Sequence, residues 1–402
     1  MTQVARPKRT ESTTGSAGLA ARVSLGRLLT PPSTEFVLIA SAALLLTIFG
    51  LVMVVSATAA IESGTMDTAI KQGLFALVGI PMMFLVSRMP IAWLKRLAWP
   101  ALIGATLLQL LVFTPLGVNS YGNRNWIDIG VTQLQPSEFL KLALALWIAY
   151  VLLRKKTLLA NWKHVFIPVI PVSVLVIGTV IAGDDLGTAM VLVLVLLACL
   201  FFSGVKLRLF IIPLLLGITA VLFYALSSDN RMRRITALCA NVDPAVDRTT
   251  YDTICYQAIH GFWGMATGGV FGLGLGNSQE KYGWLPAAAN DYIFAIVGEE
   301  LGLIGCIVVM ALFTVFAVGA FHIIRKTDDP FIRVAAGGIT VWIIGQALIN
   351  IGVVIGVFPV MGVPLPFMSQ GGTALLSVLL ACGVLLALAR TIPADGRGKV
   401  TR

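Results

Sequence analysis

Apolar stretches of about the 20 residues that a helix needs to cross a bilayer core recur along this chain near 36–56, 70–87, 97–116, 137–153, 164–182, 186–204, 207–227, 292–322, 331–357 and 368–390. Composition agrees with that pattern. The chain is 57% hydrophobic and 12% charged, where soluble domains are about a quarter charged, and this rules out an ordinary soluble globule. The expected fold is an all-α polytopic membrane protein of about ten transmembrane helices. One large extracytoplasmic loop, residues 228–290, is expected between spans 7 and 8.

The chain has 29 Lys+Arg against 19 Asp+Glu, a net charge of +10. In a soluble protein such an excess suggests nucleic acid. Here most of it, including Arg88, Lys95, Arg154, Lys206, Arg325 and Arg390, falls in alternate loops and both tails. The positive-inside rule then places both termini in the cytoplasm, and basic residues spread so widely form no nucleic-acid patch. Residues 1–33, polar and without apolar periodicity, read as a disordered basic cytoplasmic arm. Residues 34–392 form the transmembrane domain and 393–402 a short cytoplasmic tail. The first apolar run is too long, and its polar leader too extended, for a cleaved signal sequence. Cys239 and Cys255 share the outer loop, where oxidation is permitted, so a bridge between them is expected. Cys199, Cys306 and Cys382 lie in apolar runs and read as packing residues.

Ionisable groups at membrane depth are costly and are functional candidates by default. Four places hold them. Arg124 and Trp126 precede Gln135-Pro136-Ser137-Glu138 and Lys141; Glu138 and Lys141, spaced i, i+3, can neutralise each other at the start of span 4, either as a structural ion pair or as part of a site. Asp185, in Gly183-Asp184-Asp185-Leu186-Gly187-Thr188, suits a helix cap and, beside Asp184, could also touch a divalent cation, though two carboxylates fall short of a ligand set. Gly272, Gly274 and Gly276 form a glycine-rich loop that lacks the flanking strand and helix of a nucleotide site. It leads to Asp291 at the outer mouth of span 8, where desolvation would make a usable base, or where Asp291 simply caps a helix. Glu299 and Glu300 lie deeper, so at least one is expected to face a protein-lined polar cavity. Finally, residues 358–373 hold three prolines and three glycines, and read as an irregular, cavity-lining segment that includes Ser369 and Gln370. Gln346 and Asn350 put two amides on one face of span 9, as in interhelical hydrogen bonding.

Taken together, Arg124…Trp126, Gln135-Pro136-Ser137-Glu138…Lys141, Asp185-Leu186-Gly187-Thr188, Gly274-Leu275-Gly276-Asn277-Ser278, Leu285-Pro286…Asp291…Glu299-Glu300-Leu301-Gly302 and Pro364-Leu365-Pro366…Ser369-Gln370-Gly371-Gly372 resemble the SEDS family of cell-wall glycan polymerases over about residues 35–392. The arm and the Gly-Leu-Gly-Asn-Ser stretch look more like its FtsW division branch than its RodA elongation branch. The chain departs from the family at Ala289, where a His is usual, at Asn290, at Gly183-Asp184 and at Gln370.

The resemblance implies a peptidoglycan glycosyltransferase that polymerises lipid II, the undecaprenyl-pyrophosphate-linked disaccharide peptide, at the outer face of a bacterial cytoplasmic membrane. Its essential acid falls on Asp291 and its helix-4 ion pair on Glu138 and Lys141. An α-linked donor giving a β-1,4 glycan means inversion, which needs one base and no covalent intermediate. The departing pyrophosphate needs a cation: Arg124, Lys141 or a divalent ion such as Mg or Mn. Substrate contacts are expected at Arg124, Lys141, Glu138, Ser369 and Gln370, with Asp185, Glu299 and Glu300 as supporting polar groups. The family also implies a class B penicillin-binding transpeptidase and other division proteins as partners, at the septum. A lipid II flippase and a non-catalytic division scaffold remain the alternative readings.

Overall fold

In this computed structural model the described residues are 33–59, 65–120, 123–130, 132–158, 162–206, 210–211, 213–215, 217, 219, 239 and 246–392. They are mostly helical. The helices are α1 (Thr34–Thr58), α2 (Thr65–Val86), α3 (Ile91–Leu110), α4 (Ser137–Arg154), α5 (Trp162–Phe166), α6 (Val169–Ile181), α7 (Leu186–Phe202), α8 (Tyr256–Gly268), α9 (Ile293–Lys326), α10 (Pro330–Val354) and α11 (Gly372–Ala389). Among the described residues six helices are long and apolar enough to cross a membrane: α1, α2, α3, α9, α10 and α11. Helix α4 has 18 residues but carries Glu138, Lys141 and Arg154, while α6 and α7 are shorter apolar helices of 13 and 17 residues. Most of the expected seventh span, the arm, the tail and much of the 228–245 stretch lie outside the described residues.

Two expectations are corrected. The fold is not purely helical: β1 (Gly117–Ser120), β2 (Asn123–Asp128) and β3 (Gln133–Leu134) form a three-stranded antiparallel sheet between α3 and α4. The alternation on β2, with Asn125 and Ile127 buried and their neighbours more open, is a period-two signal too short to stand out beside the apolar runs. Nor is the eighth span continuous. Gly302 breaks α9 with φ 65°, and the segment after α8 fills the gap. Leu303 N donates to Gly269 O at 2.9 Å and Leu273 N to Glu299 O at 3.0 Å. A side chain at Gly302 would meet the Val270 carbonyl oxygen at 2.5 Å, so only glycine permits both this backbone angle and this approach.

Side-chain caps begin two of the helices. The Ser33 hydroxyl accepts from Phe36 N, and the Asp329 carboxylate accepts from Phe331 N behind Pro330, each satisfying an otherwise orphaned donor. Helix α1 packs along α9, α2 against α11, α7 against α10 and α3 against α4. Trp147, Phe316, Phe331 and Trp342 fill the interior. Leu77, Leu85, Leu107, Leu175 and Ile307 face outward, a surface suited to hydrocarbon.

At one end of the bundle Lys326 Nζ lies 2.8 Å from Glu35 Oε1, tying α9 to α1. At the other end the buried Glu299 and Glu300 hold the glycine-rich loop. Glu300 accepts from Ser56 Oγ of α1 at 2.7 Å, Ser278 N at 3.3 Å and Lys281 Nζ at 2.9 Å. Glu299 accepts from Gln279 N at 2.7 Å and from the Ser278 hydroxyl. The expected polar cavity is therefore a closed hydrogen-bonded junction. Removing one partner of a buried pair leaves the other charge uncompensated, at about 3–5 kcal/mol. Lys281→Met is expected to lower the thermal midpoint of the purified protein sharply, and Lys281→Met with Glu300→Gln to recover most of the loss; thermal unfolding of the three proteins checks this.

Candidate functional site

The loop that carries Asp291 is shaped by Ala287, which adopts φ 53°; its carbonyl accepts from the backbone N–H groups of Asn290 and Asp291 at 2.9 and 3.2 Å. Asp291 thus sits two residues before α9, beside the 361–371 segment. Its side chain is partly exposed. Gly362 lies alongside, where an added Cβ would stand 3.6 Å from Asp291 Oδ2. Among the described residues no side chain is seen to hydrogen-bond this carboxylate. Burial pushes the Asp291 carboxyl up to about 6, and the charge of Asp185 adds to the shift.

Asp185 is held quite differently. It caps α7 by accepting from Thr188 N at 2.9 Å, and its other oxygen accepts from Asn125 Nδ2 at 3.1 Å and Gln135 Nε2 at 3.0 Å. The capping role read in the sequence is joined by a second one, anchoring the sheet. Gly187 lets the start of α7 approach the 361–363 backbone, since a Cβ there would lie 2.6 Å from Met361 O. The same short segment therefore touches both the Asp185 turn and the Asp291 carboxylate. With three donors already on its two oxygens, Asp185 has little capacity left for a metal. Among the described residues no group of three or more His, Cys, Asp or Glu side chains is placed to hold a metal ion.

The other expected site residues divide between surface and interior. Arg124 is exposed on β2, with Nη2 donating to Thr114 O at 3.1 Å and its backbone N–H bonded to Gly183 O at 2.9 Å. Glu138 and Lys141 are each 1% exposed and 2.7 Å apart, so their charges face one another and Gln346 rather than an open surface. Ser369 is buried, its hydroxyl accepting from Leu365 N at 2.7 Å. Gln370 is partly buried and its backbone N–H donates to Ala289 O at 2.8 Å, pinning the irregular segment to the Asp291 loop. In the glycine-rich loop the N–H groups of Leu273 and Gly274 donate to the Glu299 and Glu300 carbonyls of α9 and are not open to a phosphate.

Several participants escaped the sequence reading. Lys281 is one; its signal was its place among the few basic residues on the outer side of the charge map. Gln72 of α2 is another, donating to Ser369 O at 3.2 Å and accepting from Gly371 N at 3.1 Å. A third group sits under the 280–286 stretch: His260 Nδ1 lies 2.7 Å from Glu280 Oε2 and His260 Nε2 lies 3.0 Å from Tyr251 OH. Burial raises the Glu280 carboxyl above its ordinary range while His260 draws it back. Cys239 and Cys255 are joined by a disulfide with Cα atoms 5.2 Å apart, packed against Tyr251 and Ile259.

Comparison with known proteins gives a consistent answer. Residues 36–392 match the family model FtsW/RodA/SpoVE, described as a cell cycle protein. The "Probable peptidoglycan glycosyltransferase FtsW" of Mycobacterium tuberculosis is 35% identical over 378 residues, covering 92% of this chain and 71% of the relative. The stage V sporulation protein E of Bacillus subtilis is 34% identical, covering 89% of this chain and 97% of the relative. Among solved structures, the rod shape determining protein RodA of Thermus thermophilus superposes with TM-score 0.63 at 21% identity, over 89% of this chain and 97% of that one. A chain from a study of a peptidoglycan synthase complex superposes with TM-score 0.65 at 23% identity, over 87% and 97%. With nearly its whole helical region matched by the family model, the chain belongs to the FtsW/RodA/SpoVE family.

Proposed function

We propose that this chain polymerises lipid II into glycan strands at the outer face of the bacterial cytoplasmic membrane, with Asp291 as the general base of an inverting transfer. As a member of its family, with FtsW relatives at about a third identity over most of its length, it is a peptidoglycan glycosyltransferase. The substrate, the base and the stereochemistry are the proposed parts. Asp291 carries the proposal: a partly open carboxylate without a side-chain partner among the described residues, its acidity weakened to about 6 by burial and Asp185. That places it near the pKa at which a base is both ionised and basic enough at neutral pH.

In the proposed step the acceptor sugar's 4-hydroxyl oxygen attacks the donor's anomeric carbon. A new C–O bond forms as the bond from that carbon to the pyrophosphate oxygen breaks with its electron pair. The hydroxyl proton passes to Asp291 Oδ1 or Oδ2, and the sugar inverts. Arg124, exposed at the rim with a planar fork suited to phosphate oxygens, would hold the leaving pyrophosphate. Direct substrate contact by Glu138 and Lys141 is less well supported, because both are buried and paired. The polyprenyl tails would lie against the outward apolar helices.

The finer topology belongs to the same proposal: ten spans, both termini cytoplasmic, the 228–290 loop outside, and residence at the division septum. The alternation of helix ends supports it, with Glu35, Lys95, Lys326 and Asp329 at one end and Asp185, Asp291 and Glu300 at the other. A class B penicillin-binding transpeptidase is the proposed partner, a reading in keeping with the structural neighbour from a peptidoglycan synthase complex. A flippase would need polar groups along a path through the membrane; here the deepest ones are sealed into hydrogen-bonded pairs.

Purified chain with its cognate transpeptidase and fluorescent lipid II, resolved on a polymer gel, tests the proposal. Wild type is expected to make polymer and Asp291→Asn, equally folded, to lose about 10²–10⁴-fold in rate. Equal polymer from both proteins would remove Asp291 from the mechanism. Faster lipid II movement across liposomes with no polymer from either would put a flippase in its place.

A further inference from the structure

We propose that Gln346 and Asn350 of α10 are positioning residues for Asp291, joining it to the buried Glu138–Lys141 pair of α4; the proposal rests on the reading of Asp291 as the base. Asn350 Nδ2 donates to two carbonyls from separate parts of the chain, Asp291 O at 2.7 Å and Val363 O at 2.8 Å. Gln346, one turn earlier on the same face, donates from Nε2 to Pro364 O at 2.8 Å. Its Oε1 accepts from Lys141 Nζ at 3.0 Å and Trp342 Nε1 at 2.9 Å. Lys141 bonds Glu138 Oε1 at 2.7 Å, and Glu138 Oε2 accepts from Ser377 Oγ of α11 at 3.0 Å. Hydrogen bonds thus connect α11 and α4 to the Gln346 amide, the 363–364 backbone, the Asn350 amide and the backbone of Asp291.

The residue types fit this task. The carbonyls of Asp291, Val363 and Pro364 lie in irregular backbone and need donors, and Lys141 and Trp342 need an acceptor. A primary amide offers both, whereas a carboxylate donates nothing and an aliphatic side chain would orphan the carbonyls. Gln346 and Asn350 are each 1% exposed, so water has little room to substitute. The tethered segment also forms the wall of the site. Gly362 stands beside Asp291 Oδ2, and Met361 O packs against Gly187 two residues after Asp185. Moving residues 361–364 would change both the place of the carboxylate and its separation from Asp185. Displacements of about 1 Å can cost about 100-fold in rate, so the tether acts on chemistry rather than on substrate capture.

Simple interhelical adhesion is the competing explanation, and it predicts a different kinetic signature. The full chain with its transpeptidase would be assayed on lipid II as wild type, Asn350→Leu, Gln346→Glu and the double variant. Gln346→Glu keeps volume and acceptor capacity but cannot donate to Pro364 O, so it serves if Asn350→Leu fails to fold. The expected result is a kcat per folded enzyme lower by about 10- to 100-fold with little change in KM. The double variant should be about as slow as the slower single one, since the two amides serve one unit. Hydrogen exchange of the 284–293 backbone, read without any activity, should become faster in both single variants. A kcat per folded enzyme equal to wild type, a rise in KM at constant kcat, or unchanged exchange over 284–293 would overturn the inference. Failure of wild type to polymerise would instead strike the reading of the base, leaving the exchange measurement to decide whether α10 holds the loop.

Discussion

A charge taken out of water must find its donors within the chain, and where it does so decides how this bundle closes. Glu300, with no exposed surface, draws Ser56, Ser278 and Lys281 to itself. The result joins α1, α9 and the loop between α8 and α9 at a single point. Desolvating such a carboxylate costs several kcal/mol unless every lone pair is met. The loop is therefore not free to drift, and the turn that follows it presents Asp291 at a fixed place. The break at Gly302 belongs to the same junction, because the 269–274 backbone supplies the hydrogen bonds that the interrupted helix lacks.

Against that background Asp291 is distinguished by what it has not been given. Glu138 has Lys141 and Ser377; Asp185 has Thr188, Asn125 and Gln135; Glu299 has the 278–280 turn. Each of these carboxylates is met by donors from within the chain. Asp291, by contrast, has no side-chain hydrogen-bond partner among the described residues, while its backbone is tied by Asn350 and that of nearby Ala289 by Gln370. A fixed backbone carrying a weakly acidic carboxyl suits the proposed base: orientation would come from the main chain, and reactivity from the environment.

Much of this was legible in the residues. Helix-length apolar runs gave the membrane fold, because hydrocarbon leaves little choice of backbone. Asp291 stood out as an acid at a helix mouth, and Glu138 with Lys141 as a spaced pair. Two features were hidden for physical reasons. The sheet of β1–β3 is built from strands of two to six residues, too short for their alternation to compete with flanking helices. Two partners of Glu300, Ser56 and Lys281, come from other segments of the chain and are joined to it only by the fold. Gln346 and Asn350 were visible as two amides on one face, yet their targets are carbonyls, which every residue carries and no sequence marks.

The central claim is that Asp291 acts as a base whose ionisation lies near pH 6, and the pH dependence of the single-turnover polymerisation rate tests it most directly. Desolvation raises this carboxyl, so its base form is lost as pH falls through about 6 and is full well above it. The account predicts a rate that climbs from pH 5 to a plateau above about pH 7, its acid limb centred near 6. A rate unchanged across that interval, with the protein folded throughout, would contradict the account.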